Sequence, residues 1–301
     1  MFCYSSGISY LCNMKNSSEK TIVPPIKIQG IKTKLVPWIR ELLETNNIST
    51  DRRWIEPFTG SGVVGFNVGR LFKSHIMTDS NPHIIQFYKG VLDNSITAEY
   101  VRANLEYNGE LLQKDGEVHY KEVRRRFNEE HSPIDFLFLS RAGFNGMMRF
   151  NSKGEFNIPF CKKPERFSKA YITKICNQVQ AVADVMHSAD SEWTFKNQDF
   201  RVTIKEATEN DIIYCDPPYY GRYTEYYSNW SKEDERELFL MLSECPAKFV
   251  LSTWHHNEMR ENPMIEMFWK RFNIVTHDHF YHVGASEENR RKVTEALIYN
   301  F

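Results

Sequence analysis

The feature that most constrains the fold is a strand, a glycine-rich turn and a second strand that ends in an acid. The run RRWIEPF, residues 52–58, is typical of a short buried strand, and GSGVVGFNVGRLF is expected to continue it as a glycine turn and a helix. A second strand, SHIMTDSNP, ends near Asp79, and Pro82 is expected to begin the next helix. This order is the opening of a doubly wound α/β fold.

The turn EPFTGSG, residues 56–62, is suited to binding a ligand. Glycines after a strand allow a ligand to approach the backbone closely and leave a helix N-terminus free. The motif is not G-x-G-x-x-G, so it does not favour a dinucleotide, and by itself it is equally consistent with a plain turn. Asp79 is well placed to accept hydrogen bonds from ribose hydroxyls. Its alternative role is to cap the helix that begins at Pro82.

The segment DPPYY, residues 216–220, is the strongest indication of chemistry. It follows the β-branched strand DIIYC, and its two prolines fix φ and remove two N–H donors. The carboxylate of Asp216 beside the rigid carbonyl of Pro217 forms a pair of acceptors for an amino group on a planar ring, and Tyr219 can stack on that ring. The alternative is a turn that ends a strand and caps a helix. Cys215 is expected to face the opposite side, in the core.

This pair of acceptors predicts a reaction at the amino nitrogen. The lone pair of an aromatic amine is delocalised into the ring, which makes the amine a poor nucleophile. Accepting both of its hydrogens frees the lone pair to attack an electrophilic methyl group. Alignment of amine and methyl then supplies much of the acceleration, and no catalytic thiol is needed.

The middle of the chain has a different pattern. Charged helical stretches such as EVRRRFNEE predominate between residues 95 and 190, so we expect an inserted, mainly helical module. The α/β pattern resumes with the strand DIIYC, the helix KEDERELFLMLSE and the strand KFVLSTW. The segments VTHDHFYHV and TEALIYNF are expected to form an antiparallel pair of strands at the edge of the sheet.

A Gly/Asn-rich segment, SRAGFNGMMRFNSKGEFNIPF, interrupts these helices at residues 140–160. RFN and EFN flank Ser-Lys-Gly, which predicts a β-hairpin with a Lys-Gly turn. A two-stranded ribbon fits the major groove of DNA, where Arg149 could bind guanine through two hydrogen bonds. Phe144 and Asn145 are candidates to enter the duplex. From these residues alone, an ordinary surface hairpin with a solvated arginine is the favoured interpretation.

Composition limits the partners and the compartment. The net charge of the 301 residues is −1, so any basic surface for nucleic acid must be local. The six cysteines form no C-x-x-C pair, and the alternating histidines near position 280 lack matching ligands, so we expect no metal site. No apolar run is long enough to span a membrane, and the first residues lack a signal peptide. A reduced, cytoplasmic setting is expected, and Met14 could be an alternative start.

Taken together, these segments resemble the Dam-type, alpha-group family of DNA adenine methyltransferases. The resemblance covers residues 23–300 and is carried, in this order, by PPIKIQGIKTKLVPWI, EPFTGSG, DSNPH, FNGMMRFNSKGEFNIPF, YCDPPY and HVGASEENR. It implies a Rossmann-like methyltransferase domain with an inserted, mainly helical DNA-recognition domain that carries a β-hairpin. The implied boundaries are a flexible extension at 1–22, a catalytic domain at 23–94 and 191–301, and a recognition domain at 95–190.

The resemblance also implies a methyl donor, a substrate and the residues that contact them. The donor is S-adenosylmethionine, the substrate is double-stranded DNA, and no metal is involved. The positions that match the family's catalytic segment are Asp216, Pro217 and Tyr219. Those that match its donor contacts are Lys32, Phe58, Gly60, Asp79, Asp199, Phe200 and Asp216. Those that match its DNA contacts are Lys27, Phe144, Asn145 and Arg149. The family often has W-A-G-G-K near its N-terminus, whereas residues 28–32 of this chain are I-Q-G-I-K.

Three hypotheses for function follow. The leading one is a monomeric, sequence-specific DNA adenine methyltransferase that modifies a GATATC-like site and protects it from a cognate restriction endonuclease. The second is methylation of another planar amine, such as that of cytosine or glutamine, although glutamine enzymes of this kind usually have Asn in place of Asp216. The third is a catalytically silent DNA-binding regulator, against which the intact Asp216 and Asp79 argue.

Overall fold

The computed structural model describes residues 20–28, 30–144, 148–220, 230–280 and 292–301. Its centre is a seven-stranded mixed sheet. In chain order the strands are β1 (Arg53–Glu56), β2 (Ser74–Asp79), β3 (Glu192–Asn197), β4 (Asp211–Cys215), β5 (Lys248–Asn257), β6 (Asn273–Phe280) and β7 (Lys292–Tyr299). The predicted mixed α/β class is confirmed.

The strand order is β3-β2-β1-β4-β5-β7-β6. Strands β1 to β5 are parallel, and β7 is antiparallel to both of its neighbours, β5 and β6. The predicted antiparallel pair at the sheet edge is therefore confirmed. Because the chain winds to opposite sides of β1, to β2 and to β4, the carboxyl ends of these strands form a topological switch point, where α/β sheets bind ligands.

Helices cover the sheet and form most of the middle segment. They are α1 (Val36–Thr45), α2 (Pro82–Leu92), α3 (Ala98–Asp115), α4 (Glu117–Glu130), α5 (Pro133–Ala142), α6 (Lys169–Met186), α7 (Phe200–Lys205), α8 (Lys232–Glu244) and α9 (Pro263–Met267). The expected start of α2 at Pro82 is confirmed, and its N-cap is Asn81, whose side chain accepts from the backbone N–H of His83. Helix α8 begins with a capping box between Ser231 and Asp234.

The prediction of a regular helix after the glycine turn is wrong. Residues 63–68 form successive turns that end in a short 3₁₀ helix, Gly69–Leu71. The Gly62 carbonyl accepts from Phe66 four residues on, but the Gly65 carbonyl accepts from Arg70 five residues on. The segment is tightly packed, since a Cβ at Gly65 would lie 2.4 Å from a methyl carbon of Met77. Close packing on β1 and β2 therefore replaces regular helical geometry.

The hairpin exists, but its predicted Lys-Gly turn is wrong. Phe150 and Phe156 form an antiparallel bridge, and the backbone N–H of Asn151 donates to the carbonyl of Glu155. The N–H of Gly154 donates to the carbonyl of Asn151, and Gly154 has a φ of 77°. The loop is thus three residues long, 152–154, with glycine in the left-handed position that such a loop requires.

The helices of residues 95–190 share their buried side chains with the sheet layer. One continuous apolar cluster includes Met77 of β2, Phe87 of α2, Phe136 of α5 and Val179 of α6. Helix α2 is the link, because it packs against both α5 and β3. The division into a catalytic and a recognition domain stays a prediction.

No helix in the described part of the chain is both long and apolar enough to cross a membrane.

Candidate active site

A cavity of about 230 Å³ opens at the switch point. It is lined by the ends of β1, β2 and β4, by the glycine turn, and by the segment that precedes α1. Every residue predicted to contact the donor contributes to its wall: Lys32, Phe58, Gly60, Asp79, Asp199, Phe200 and Asp216. The topology therefore brings together seven positions that are spread over 185 residues of sequence.

The glycine turn forms the floor of the cavity and is held in a backbone conformation that glycine favours. Gly60 and Gly62 have φ values of 49° and 71°. A Cβ on Gly62 would lie 2.4 Å from the ring of Phe66. Glu56, at the end of β1, is buried below the turn and accepts from the indole N–H of Trp54 at 3.1 Å. Burial raises the pKa of Glu56 well above its ordinary value.

Asp79 forms the next part of the wall. Its two carboxylate oxygens accept from the backbone N–H groups of Gly60 and Asn81, both at 2.8 Å. Since Asn81 caps α2, the alternative in which Asp79 serves as the N-cap is wrong. Burial raises the pKa of Asp79 to about 6, although these two hydrogen bonds act in the opposite direction.

Three aromatic rings stand at the end of the cavity nearest α7. Phe58 stacks on Phe200 with ring centroids 5.3 Å apart, and Trp230 meets Phe58 edge-on at 5.6 Å. The indole N–H of Trp230 donates to Glu235 at 2.7 Å, which fixes the ring. Trp230 was not among the predicted site residues. The available signal was its position directly before the capping box of α8, where an apolar residue often packs on the helix.

Asp216 lies at the end of β4 and faces the cavity. One carboxylate oxygen is 2.9 Å from the ammonium of Lys32, and the other accepts from the hydroxyl of Ser252 at 2.9 Å. Burial raises the pKa of Asp216, while Lys32 and then Ser252 oppose this effect. Lys32 also donates to the carbonyl of Gly30 at 2.9 Å. Ser252, on β5, was not among the predicted site residues.

The rest of the DPPYY segment is more enclosed. Pro217 and Tyr219 are buried and do not line this cavity, whereas Pro218 does. The hydroxyl of Tyr219 donates to Glu295 of β7 at 2.8 Å, and the ammonium of Lys32 lies 4.9 Å from the centre of the Tyr219 ring. Cys215 is wholly buried, as expected.

The predicted DNA contacts lie on the side of the helical segment and the hairpin. Arg149 donates through Nε to the side chain of Asn157 at 2.8 Å, across the base of the hairpin. Phe144 lies two residues after the end of α5 and is 48% exposed, which is unusual for phenylalanine. Asn145 lies outside the described residues.

Lys27 lies within a group of positive charges. The pKa of its ammonium is lowered by burial first, and then by Arg166, Arg141 and Lys163. Arg141 is itself held by the side chain of Gln178 at 2.7 Å. This group provides a local basic surface on a chain whose overall charge is slightly negative.

The comparison with known families decides the classification. The family described as D12 class N6 adenine-specific DNA methyltransferase matches residues 29–283. This chain belongs to that family.

The relatives of this D12 protein include a methyltransferase that it matches over nearly its full length and another of which it matches less than half. It is 25% identical to the type II methyltransferase M1.LlaDCHI of Lactococcus lactis, over 96% of this chain and 99% of the relative. It is 27% identical to the type II methyltransferase M.FokI of Planomicrobium okeanokoites, over 95% of this chain but only 44% of that longer protein. It is 30% identical to a DNA adenine methylase of Vibrio cholerae, over 65% of this chain and 69% of the relative.

The described part of this D12 methyltransferase contains no candidate metal site. There, no group of three or more His, Cys, Asp or Glu side chains could hold a metal ion. His277, one of the alternating histidines, packs against Trp38 with ring centroids 5.2 Å apart.

Proposed function

We propose that the cavity binds S-adenosylmethionine and that Asp216 directs transfer of its methyl group to the exocyclic amino group of an adenine extruded from duplex DNA. The observation that carries this proposal is that three carboxyl groups of the cavity wall, Glu56, Asp79 and Asp216, share it with one lysine, Lys32. Burial raises the pKa of each of these carboxyl groups, so each gains from a nearby positive charge. The two other carboxylates of the wall, Asp199 and Asp234, both pair with Arg201.

The shape and chemistry of the cavity fit this donor. S-adenosylmethionine carries a sulfonium and an ammonium, and it supplies an electrophilic methyl group. Asp79 is placed to accept from the ribose hydroxyls, and the rings of Phe58, Phe200 and Trp230 offer flat surfaces for the purine. Gly60 leaves open space above the turn, because a Cβ there would meet nothing closer than 4.0 Å.

Asp216 can hold the amino group without losing its present partners. Each carboxylate oxygen has two lone pairs, so Asp216 can accept an amino hydrogen while it stays bound to Lys32 and Ser252. In this proposal the carbonyl of Pro217 accepts the second hydrogen, and Tyr219 stacks on the base. The raised pKa of Asp216 makes it a stronger base for the proton that the nitrogen releases after the transfer.

The DNA side of the proposal concerns the hairpin and the basic surface. Adenine N6 takes part in base pairing, so the base must leave the duplex at a cost of a few kcal/mol. Lys27 and Arg149 would read bases, and Phe144 and Asn145 would enter the duplex. The basic surface around Lys27 would contact phosphates, which predicts affinity that falls with salt. Residues 95–190 would form the recognition domain.

The target site is proposed from resemblance. Closeness to the EcoRV modification methyltransferase, carried by the same segments as the family resemblance, is part of this proposal, and it suggests a GATATC-like site with the first adenine modified. The chain would act as a monomeric modification enzyme beside a cognate restriction endonuclease. Single-molecule sequencing of DNA methylated by the purified protein tests the site, and a modified base in another sequence would exclude GATATC.

Transfer of labelled methyl from S-adenosylmethionine to duplex DNA tests the activity itself. We expect label on adenine N6, and a loss of at least about 100-fold in Asp216→Ala with DNA binding retained, as for removal of a group that stabilises the transition state. Asp211→Asn is the matched control, because Asp211 is a buried carboxylate at the opposite end of the same strand. Label on cytosine, RNA or protein alone would refute the proposal.

A further inference from the structure

A buried carboxylate on β7 has no part in the chemistry described so far. Glu295 is 0% exposed and lies in the middle of β7, in register with Trp254 of β5 and His277 of β6. A carboxylate in such a position is costly unless it is well partnered. We therefore expect Glu295, in an otherwise largely apolar strand, to be stabilised by a specific contact.

The contact is with the DPPYY segment. The hydroxyl of Tyr219 donates to Oε2 of Glu295 at 2.8 Å, across 76 residues of sequence. Tyr219 also packs with Trp254 and Val293 in one small apolar cluster. The ammonium of Lys32 is 4.9 Å from the centre of the Tyr219 ring and 2.9 Å from Asp216.

We propose that Glu295 is a positioning residue for the methyl transfer, which holds the Tyr219 ring at the angle that places the extruded adenine against Asp216. This inference rests on the proposed function. A hydrogen bond to a charged acceptor is short and directional, so it restricts rotation of the tyrosine side chain more than apolar packing alone. Tyr219 is therefore fixed at two points, through the backbone of the segment that begins at Asp216 and through its hydroxyl to Glu295.

A purely structural role for Glu295 makes a different prediction. In that case its removal would lower the stability of the protein, and the methyl-transfer rate of the folded fraction would be unchanged. A positioning role predicts a loss of kcat in fully folded protein, without loss of donor affinity. It also predicts that the effect depends on the hydroxyl of Tyr219.

A mutant cycle separates these roles. Glu295→Leu and Tyr219→Phe each remove one side of the hydrogen bond, and we expect each to lower kcat by about 10- to 100-fold, the range for a hydrogen bond to a charged group. The double variant should be no slower than the slower single variant, because both changes break the same contact. Glu295→Gln keeps an acceptor for the hydroxyl, and we expect it to retain most of the activity that Glu295→Leu loses.

The measurements are kcat with saturating duplex DNA, the donor Kd by calorimetry, and Tm. Asp211→Asn again serves as the control for loss of a buried carboxylate, and it should lower Tm with kcat unchanged. Additive effects in the double variant, or an unchanged kcat in Glu295→Leu, would overturn the inference. If Glu295→Leu does not fold, the cycle is run with Glu295→Met, whose side chain is of similar length and provides no carboxylate acceptor; Tyr219→Phe should then cause little further loss, and a full further loss overturns the inference. Absence of transfer by the unmodified protein would instead overturn the proposed function, and this inference with it.

Discussion

Replacement of Asp79 by asparagine should stabilise the protein and weaken donor binding. The pKa of Asp79 is about 6 instead of 3.8, so its ionised form costs the folded state up to about 3 kcal/mol at neutral pH. Water in the cavity reduces this cost, since one side of the carboxylate faces the opening. Asparagine removes the charge, but its amide can accept only one of the two backbone N–H groups, which costs about 1 kcal/mol. We expect a net gain of about 1–2 kcal/mol in the free energy of unfolding.

The pH dependence of this gain follows from the direction of the shift. Because the folded-state pKa of Asp79 is higher than the unfolded one, the cost is fully present above about pH 6. It decreases as the pH falls from 6 to 3.8 and is absent below 3.8. The Asp79→Asn protein should therefore exceed the unmodified protein in Tm by about 2 °C per kcal/mol at pH 7.5. As the pH falls towards 4 this advantage should disappear and reverse, because the cost of ionisation is lost while the loss of one hydrogen bond, about 1 kcal/mol, remains.

Two assays check this prediction. Thermal unfolding at several pH values measures the stability, with Asp51→Asn as the control, since Asp51 is 73% exposed and should show no such gain. Calorimetry with S-adenosylmethionine measures the donor Kd, which we expect to rise by about 10- to 100-fold when a charged acceptor for the ribose is lost. A variant that is less stable at pH 7.5, or a stability difference that does not change with pH, would refute the reasoning.

Three further predictions concern the site, the hairpin and the turn. Lys32→Gln should raise the pKa of Asp216, because Lys32 lowers it. Since the ionised carboxylate accepts the amino hydrogen, the loss of kcat on lowering the pH should begin at a higher pH than in the unmodified protein. An unchanged pH profile of kcat would contradict this. Arg149→Ala should cost about 1–3 kcal/mol of discrimination at one base pair in binding assays, whereas a uniform loss over all sequences would make Arg149 a phosphate contact. Gly62→Ala should lower the free energy of unfolding by at least about 2 kcal/mol in denaturant titrations, because it combines a positive φ with a Cβ only 2.4 Å from Phe66; full stability would contradict the packing.

Features that depend on residues adjacent in the sequence could be predicted. Strand β2 ends in Asp79, Asp216 directly follows β4, and Pro82 begins α2, as the pattern indicated. The exceptions were segments in which tertiary packing decides the geometry. The glycine-rich turn after β1 packs too closely on Met77 for a regular helix, and the hairpin loop spans three residues, 152–154, instead of the two of the expected Lys-Gly turn, with Gly154 in a left-handed conformation.

Contacts across the sheet could not be predicted, because they depend on the order of the strands. Ser252 donates to Asp216 because β5 lies beside β4, and nothing in the sequence KFVLSTW distinguishes this serine from one in any buried strand. The same holds for Trp230, whose ring closes the aromatic end of the cavity only when α8 packs near α7.

The position of the last strand has a consequence for the site. Strands β4, β5 and β7 lie side by side and carry, in that order, Asp216 at the end of β4, Ser252 and Glu295. If β7 paired at the outer edge of β6 instead, it would lie one strand spacing, about 4.8 Å, farther from β4. At that distance Glu295 could not accept from the hydroxyl of Tyr219, since such a hydrogen bond fails beyond about 3.5 Å. The insertion of β7 between β5 and β6 is therefore what brings the carboxylate to the tyrosine, so the edge topology and the geometry beside Asp216 are coupled.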